Sequence, residues 1–460
     1  MSTMPRLLRI GQIAVFVLCI GIPAAMFGFG ERGEPVDNRR PTPRPPIRVF
    51  DLFDTERTAE FDTYFDEGFP LRDEAIELNA RADRAVGDSS NPDVVVGRTG
   101  WLFLRESIEQ PCRTAAEMAE LTDVLDRAER IVSSTGRELT NVIAPDKASV
   151  YPDRLADPPS CVLANAALFD DLATEATIVM AWPATAATAQ ADERAYLRLD
   201  THWTAAGAVP TARAMVDLVA PGRWDDDAIV TDPPIADVGD LSILLGLPQT
   251  EQEVRARAHP GPAPAIAVAR PYTDRDGTVV EWIGVTRYES GWDGAVAGRT
   301  LLLHDSFGDR VVDLAADYFA DITAIGDPSP RRSQHAIVDA QRIIRLEVQR
   351  RFFPSVVTAD LAAEFAVALQ DELAPATIDG DCATGCAVAA DGADDADDAD
   401  TYLIATLAPG AAAGSIEFGG RRFELDALTP AAAWLVTAGD TVTLRGDAVD
   451  RVAVRAVSVG

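Results

Sequence analysis

Residues 300–319 read TLLLHDSFGDRVVDLAADYF. Leu301-Leu302-Leu303 is a short apolar run without alternation, the pattern of a strand buried on both faces of a parallel sheet. Val311–Phe319 reads as a helix, so the chain turns from strand to helix across His304-Asp305-Ser306-Phe307. In open α/β sheets ligand chemistry gathers at the carboxyl ends of the strands, and Ser306 stands at such an end.

The same alternation extends outward from this turn. Ala115–Val132 is an amphipathic helix, and Leu139–Ala144 is a strand that ends at Pro145-Asp146-Lys147. Ala164–Leu172 and Thr204–Val219 read as helices; Thr177–Trp182, Ile322–Ile325 and Ile343–Val348 read as strands. Strands alternating with helices imply βαβ units and a largely parallel sheet. Upstream, Thr55–Val86 has helical spacing broken at Pro70, and Val94-Val95-Val96 with Trp101-Leu102-Phe103 forms a hairpin around Gly97 and Gly100. Residues 225–298 do not follow the alternation. They are expected to form an insertion of short strands and loops, with Val279–Ile283 strand-like. Asp391–Asp400 holds six aspartates among Ala and Gly, a solvated run without core-forming power. Beyond it lie six short strand-like stretches, 402–407, 415–418, 422–425, 434–437, 441–444 and 452–457, which suit a small β-sandwich. The expected organisation is an α/β domain over 51–372, an acidic linker over 373–400 and a small all-β domain over 401–460.

The chain has 460 residues, of which 47% are hydrophobic, enough for a large core and a second, smaller one. Its formal charge of −32 argues against nucleic-acid partners, which reward basic surfaces. Arg6 and Arg9 precede an uncharged stretch from Ile10 to Gly30, long enough to cross a bilayer as a helix. A cleaved signal peptide and a retained signal anchor both fit. The length favours the anchor, over residues 1–30, followed by a Pro/Arg-rich linker over 31–50. Five cysteines are present, one of them Cys19 in the apolar stretch. The other four suit two disulfides in an oxidising compartment, Cys112–Cys161 and Cys382–Cys386.

Asp200-Thr201-His202-Trp203 supplies a carboxylate and an imidazole two residues apart. With Ser306 these are the parts of an acyl-transfer site: a serine nucleophile, a base that takes its proton, and a carboxylate that orients the base. The backbone N–H of Ser306 is a natural oxyanion donor. Asp305, Trp203 and Lys147 are further candidates for oxyanion or substrate contacts, Trp203 as a face for a sugar ring. Each residue has a plainer reading as well: Ser306 and Asp200 as helix caps, His202 as a structural histidine, Trp203 as core, Lys147 as a surface lysine. No metal site and no cofactor are expected, because none of the other histidines clusters with His202.

These motifs, with Phe69-Pro70-Leu71-Arg72-Asp73, Gly97-Arg98-Thr99-Gly100-Trp101-Leu102-Phe103, Tyr151-Pro152 and Gly239-Asp240-Leu241, resemble those of the SGNH hydrolase-like proteins of alginate O-acetylation, the AlgJ and AlgX type. The resemblance runs over about residues 35–355. It implies a flavodoxin-like sheet in circularly permuted order, with the Asp-x-His segment before the serine. It also implies an extracytoplasmic enzyme that acetylates polysaccharide hydroxyls through Asp200, His202 and Ser306. The implied partners are a polysaccharide acceptor and a multi-pass membrane acyltransferase that delivers acetyl. The chain departs from the pattern at His304, where a glycine is usual before Asp-Ser. A polysaccharide acetylesterase with the same triad and a non-catalytic glycan-binding scaffold are the alternative expectations.

Overall fold

The computed structural model describes the chain from Arg6 to Val459 except residues 33–43, 46–54, 86–87, 176–177, 193, 274–278, 377, 382–384, 389–399, 408–412, 419–420, 427–430, 437–440 and 445–451. The Pro/Arg-rich segment and the acidic run fall largely outside the described residues, as does Cys382 and with it the expected Cys382–Cys386 bridge. The chain divides into two compact units. One comprises residues 1–105, 198–201 and 236–251; the other comprises 106–197, 202–235 and 252–460.

In the first unit a helix covers Arg6–Gly28, and among the described residues no helix is long and apolar enough to cross a membrane. Helices Thr55–Gly68 and Arg72–Ala85 are separated at Pro70, as a proline lacking its N–H dictates. Strands Val94–Val96 and Leu102–Leu104 pair antiparallel, and Gly100 takes a φ of 79° in the turn between them. Ala80, Val94, Leu102, Leu199, Leu241, Leu245 and Leu247 form its small core.

The second unit is built on a seven-stranded sheet. In chain order its strands are β1 (Glu138–Ala144), β2 (Ile178–Met180), β3 (Ile266–Thr273), β4 (Val279–Glu289), β5 (Val296–His304), β6 (Phe319–Ile325) and β7 (Arg342–Val348). The spatial order is β2-β1-β7-β5-β6-β4-β3. The first five strands in that order run parallel, and β4 and β3 add an antiparallel edge. Short strands do occupy 229–258, but Ile266–Thr273 and Val279–Glu289 correct the reading of the rest of 225–298, since they extend the main sheet by two long strands.

Helices α1 (Ala115–Ser134), α2 (Ser160–Glu175), α3 (Ala205–Val219), α4 (Gly308–Ala315) and α5 (Leu361–Ala368) flank the strands. Thr114 and Glu117 close a capping box at the start of α1, satisfying backbone donors that a helix leaves open. The Leu301-Leu302-Leu303 run is buried throughout, as a central parallel strand requires.

Two further sheets follow α5. One has the order 374–376, 452–459, 400–407, 431–436, and the other 378–381, 385–388, 441–444, 413–418, 421–426. The first shares one continuous apolar core with the α/β body. Tyr402, Ile404, Ala431, Val457 and Val459 join the cluster that contains Leu121 and Val124 of α1 and Phe365 of α5.

Cys112 and Cys161 form a disulfide that closes a loop of 49 residues. In the chain-entropy account such a bridge stabilises by about 2–4 kcal/mol. Cys112→Ser/Cys161→Ser is expected to lower the urea midpoint accordingly and, by releasing a more expanded unfolded chain, to steepen the dependence on denaturant; an unchanged midpoint would show that the bridge constrains nothing.

Candidate active site

Ser306 is exposed at the carboxyl end of β5, on the turn into α4. The turn is held by the residue before it. Asp305 accepts the Phe307 N–H on Oδ1 at 2.9 Å and the Val348 N–H on Oδ2 at 2.8 Å, tying the nucleophile turn to the end of neighbouring β7. Burial pushes the Asp305 carboxyl up, and the two backbone N–H groups oppose the shift. With both oxygens engaged and no proton to donate as a carboxylate, Asp305 staples the turn and does not contact an oxyanion, which corrects that expectation. The backbone N–H of Ser306 has no acceptor among the described residues, as an oxyanion donor requires.

His202 reaches this turn from a pinched loop. Tyr196 and Trp203 form an antiparallel bridge, and the Leu197 N–H donates to His202 O at 3.2 Å, closing the base of the loop. Ser306 Oγ lies 2.8 Å from His202 Nε2. The imidazole packs against Phe307 at 5.1 Å between centroids. Trp203 is 0% exposed; its Nε1–H donates to Phe307 O at 3.0 Å, and its ring meets Phe307 edge-on. It therefore fixes the His loop to the Ser turn from inside. The expectation of Trp203 as a sugar-stacking face is corrected, because no face is open.

Asp200 precedes His202 by two residues and accepts the Asp240 N–H on Oδ2 at 2.9 Å. Lys147 is 3% exposed at the first position of the short helix Lys147–Val150. The strand-end corner that carries it is internal, so the expected substrate contact by Lys147 is not available.

Sequence reasoning missed a buried polar network under the site. Asp146 is 0% exposed, yet it pairs with Arg350 Nη1 at 2.6 Å and accepts Gln110 Nε2–H at 2.8 Å. Gln349 Oε1 accepts both the Asp146 N–H and the Ser149 hydroxyl. The Tyr196 hydroxyl donates to Pro145 O. Arg350 also lies over the Phe307 ring at 5.5 Å. Burial raises the Asp146 carboxyl, and the Arg350 guanidinium works against it. Burial, then the Asp146 charge, lifts the Tyr196 phenol well above its usual value. The Pro-Asp-Lys corner was the only local signal for this network. Nothing in the sequence points to Arg350.

His304, where a glycine is usual, is buried, and its Nδ1 lies 2.7 Å from Asp305 O. Room for it comes from Gly308, where a Cβ would stand 2.3 Å from His304 Cβ and Cγ. The missing glycine of the motif is thus compensated one helical turn later. Gly308→Ala is expected to lose about 1–3 kcal/mol through overpacking, and His304→Gly/Gly308→Ala to recover most of it in thermal melts. A fully stable single variant would show that the overlap relaxes without strain.

Residues 94–277 match the model of the family described as SGNH hydrolase-like domain, acetyltransferase AlgX. This span includes Asp200 and His202 and ends before Ser306. The chain is 25% identical over 258 residues to a probable alginate O-acetylase AlgJ of Pseudomonas fluorescens, covering 53% of this chain and 60% of the relative. It is 29% identical over 167 residues to that of Pseudomonas putida, covering 35% and 42%. The matches thus span less than two thirds of either relative's length. The solved O-acetyltransferase domain of Pseudomonas putida AlgJ aligns with a TM-score of 0.39 at 20% identity, over 57% of this chain and 92% of that one. Residues 94–277 are thus similar to the SGNH hydrolase-like domain of the AlgX type, and the chain is similar over part of its length to probable alginate O-acetylases of the AlgJ type.

Proposed function

We propose that the protein is an extracytoplasmic O-acetyltransferase that moves acetyl groups onto hydroxyls of a cell-surface or exported polysaccharide. The observation that carries this reading is the 2.8 Å approach of Ser306 Oγ to His202 Nε2 at the carboxyl end of a central strand. His202 takes the hydroxyl proton as Ser306 Oγ attacks the acetyl carbonyl, with Asp200 orienting the imidazole. The negative charge of the tetrahedral intermediate falls on the carbonyl oxygen, where the Ser306 N–H can donate. Collapse of the intermediate breaks the bond to the leaving group, which receives the proton from His202. A sugar hydroxyl then attacks the acetyl-serine ester, gives its proton to His202, and leaves as the acetylated sugar while Ser306 regains its hydrogen.

The Cys112–Cys161 bridge supports an oxidising compartment. The uncharged stretch from Ile10 to Gly30 supports attachment of the body to a membrane, beside a membrane acyltransferase that supplies acetyl. The acetylase names of the relatives support a polysaccharide acceptor. Intact-mass spectrometry after mixing with an activated acetyl ester tests the chemistry. An acetyl adduct on Ser306 that clears faster with oligosaccharide, leaving acetylated sugar, is expected. Clearance at one rate with and without sugar would make the protein an esterase. No adduct on folded protein would leave a glycan-binding scaffold.

A further inference from the structure

The four residues that lead into His202 are held by more partners than an exposed loop needs. The carboxylate of Glu251 accepts the Arg198 N–H at 2.9 Å and the Leu199 N–H at 2.8 Å. Asp240 Oδ1 accepts the Thr201 N–H, and Asp240 Oδ2 accepts the Thr201 hydroxyl, each at 2.7 Å. The Asp240 N–H in turn donates to Asp200 Oδ2 at 2.9 Å. The Ser242 N–H donates to Leu199 O at 3.2 Å. Gly239 makes the approach possible, since a Cβ there would stand 2.3 Å from Leu199 O. Gly239-Asp240-Leu241 is thus pressed against Leu199-Asp200-Thr201, with one aspartate gripping the backbone and side chain of Thr201 and its own N–H gripping the carboxylate of Asp200.

We infer that Asp240 is a positioning residue of the acyl-transfer site, fixing the Asp200 carboxylate and the peptide that carries His202. The inference rests on the reading of Asp200, His202 and Ser306 as a triad. Two features separate this clamp from ordinary loop packing. It binds one of the two Asp200 oxygens, which restricts how the carboxylate can turn. It also holds the residue immediately before His202 by two hydrogen bonds to one side chain, so the imidazole's point of attachment has little play. Side chains that orient a reacting group need such support, and a misplacement of about 1 Å lowers rates about 10²-fold.

The experiment is a double-mutant cycle on the full chain, with initial rates on an acetyl ester and thermal melts for each variant. Asp200→Ala alone is expected to lower kcat strongly. Asp240→Ala is expected to lower kcat about 10²-fold with KM within about twofold, because the acetyl donor is not its partner. In Thr201→Val/Asp240→Ala the hydroxyl change is expected to add nothing, because the Asp240 carboxylate acts through Thr201. Asp240→Asn, which unlike Asp240→Ala keeps a side-chain oxygen to accept the Thr201 N–H, is expected to recover most of the rate; Thr201→Val loses only the hydroxyl contact and is expected to lose about threefold. These last two variants carry the test if Asp240→Ala does not fold. Losses that multiply in the double variant, or a loss in KM alone, overturn the inference while leaving the triad standing. Full activity of Asp200→Ala removes the triad reading, and the inference with it.

Discussion

Ser306→Ala is expected to lower kcat for an acetyl ester by about 10³–10⁶-fold and to leave the fold intact. The hydroxyl is exposed and its side-chain contact is the imidazole of His202, 2.8 Å away, so its removal creates no cavity and strands no buried group. Stability is expected to stay within about 0.5 kcal/mol of the parent. His202→Ala is expected to cost about as much in rate, and Ser306→Ala/His202→Ala no more than either change alone, because nucleophile and base act as one device. Initial rates and thermal melts on the three variants check this. A Ser306→Ala variant that keeps even a tenth of the parent's turnover would place the chemistry elsewhere.

The largest expected loss of stability lies beneath the site, in Arg350→Met. The Asp146 carboxylate is fully buried and the Arg350 side chain nearly so. Burying two charges is costly, and their attraction offsets that cost only while both are present. Methionine fills much of the arginine's volume and leaves the carboxylate with Gln110 and the backbone N–H of residue 350 but no opposite charge, at an expected cost of about 3–5 kcal/mol near neutral pH. Asp146→Asn/Arg350→Met, which removes both charges, is expected to regain most of it.

The pH dependence follows from the direction of the shift. Burial already holds the folded-state pKa of Asp146 above its unfolded value, and loss of Arg350 removes an opposing influence. A carboxyl whose folded pKa is raised contributes its stability below the unfolded pKa, near 4, and loses it as pH rises through the folded value. The deficit of Arg350→Met is therefore expected to shrink between pH 7.5 and pH 5 in urea titrations. A deficit that grows over that range would mean that Asp146 is not the group left unpaired.

Much of the α/β frame could be read from the chain because its strands are short apolar runs between amphipathic helices. Val94–Val96 and Leu301–Leu303 lie inside observed strands, and Pro70 separates two observed helices. Ile266–Thr273 escaped because an edge strand faces solvent. Ile266 is 68% and Val268 46% exposed, and Pro271 interrupts the pattern, so the segment looks like loop. Helix α5 escaped for the opposite reason: every one of its residues from Leu361 to Ala368 is buried, so it has no polar face and no period. At the site, residue type singled out Ser306 and His202, which the fold brings within 2.8 Å of each other, but gave no direction of burial, so the inward-facing Trp203 and Lys147 read as substrate contacts. Arg350 meets Asp146 across 204 positions of sequence, a distance over which local pattern carries no information.

The sheet that closes the chain has a consequence for how the protein is made. Its last strand, Val452–Val459, contributes Val457 and Val459 to the same apolar cluster as Leu121 and Val124. More than three hundred residues of synthesis separate the two halves of that cluster. Part of the buried stripe of α1 therefore stays uncovered until nearly all of the described chain has emerged. A polypeptide of this kind cannot complete its body early and then carry the C-terminal sheets as an optional attachment. Its apolar core locks only when the last strand docks.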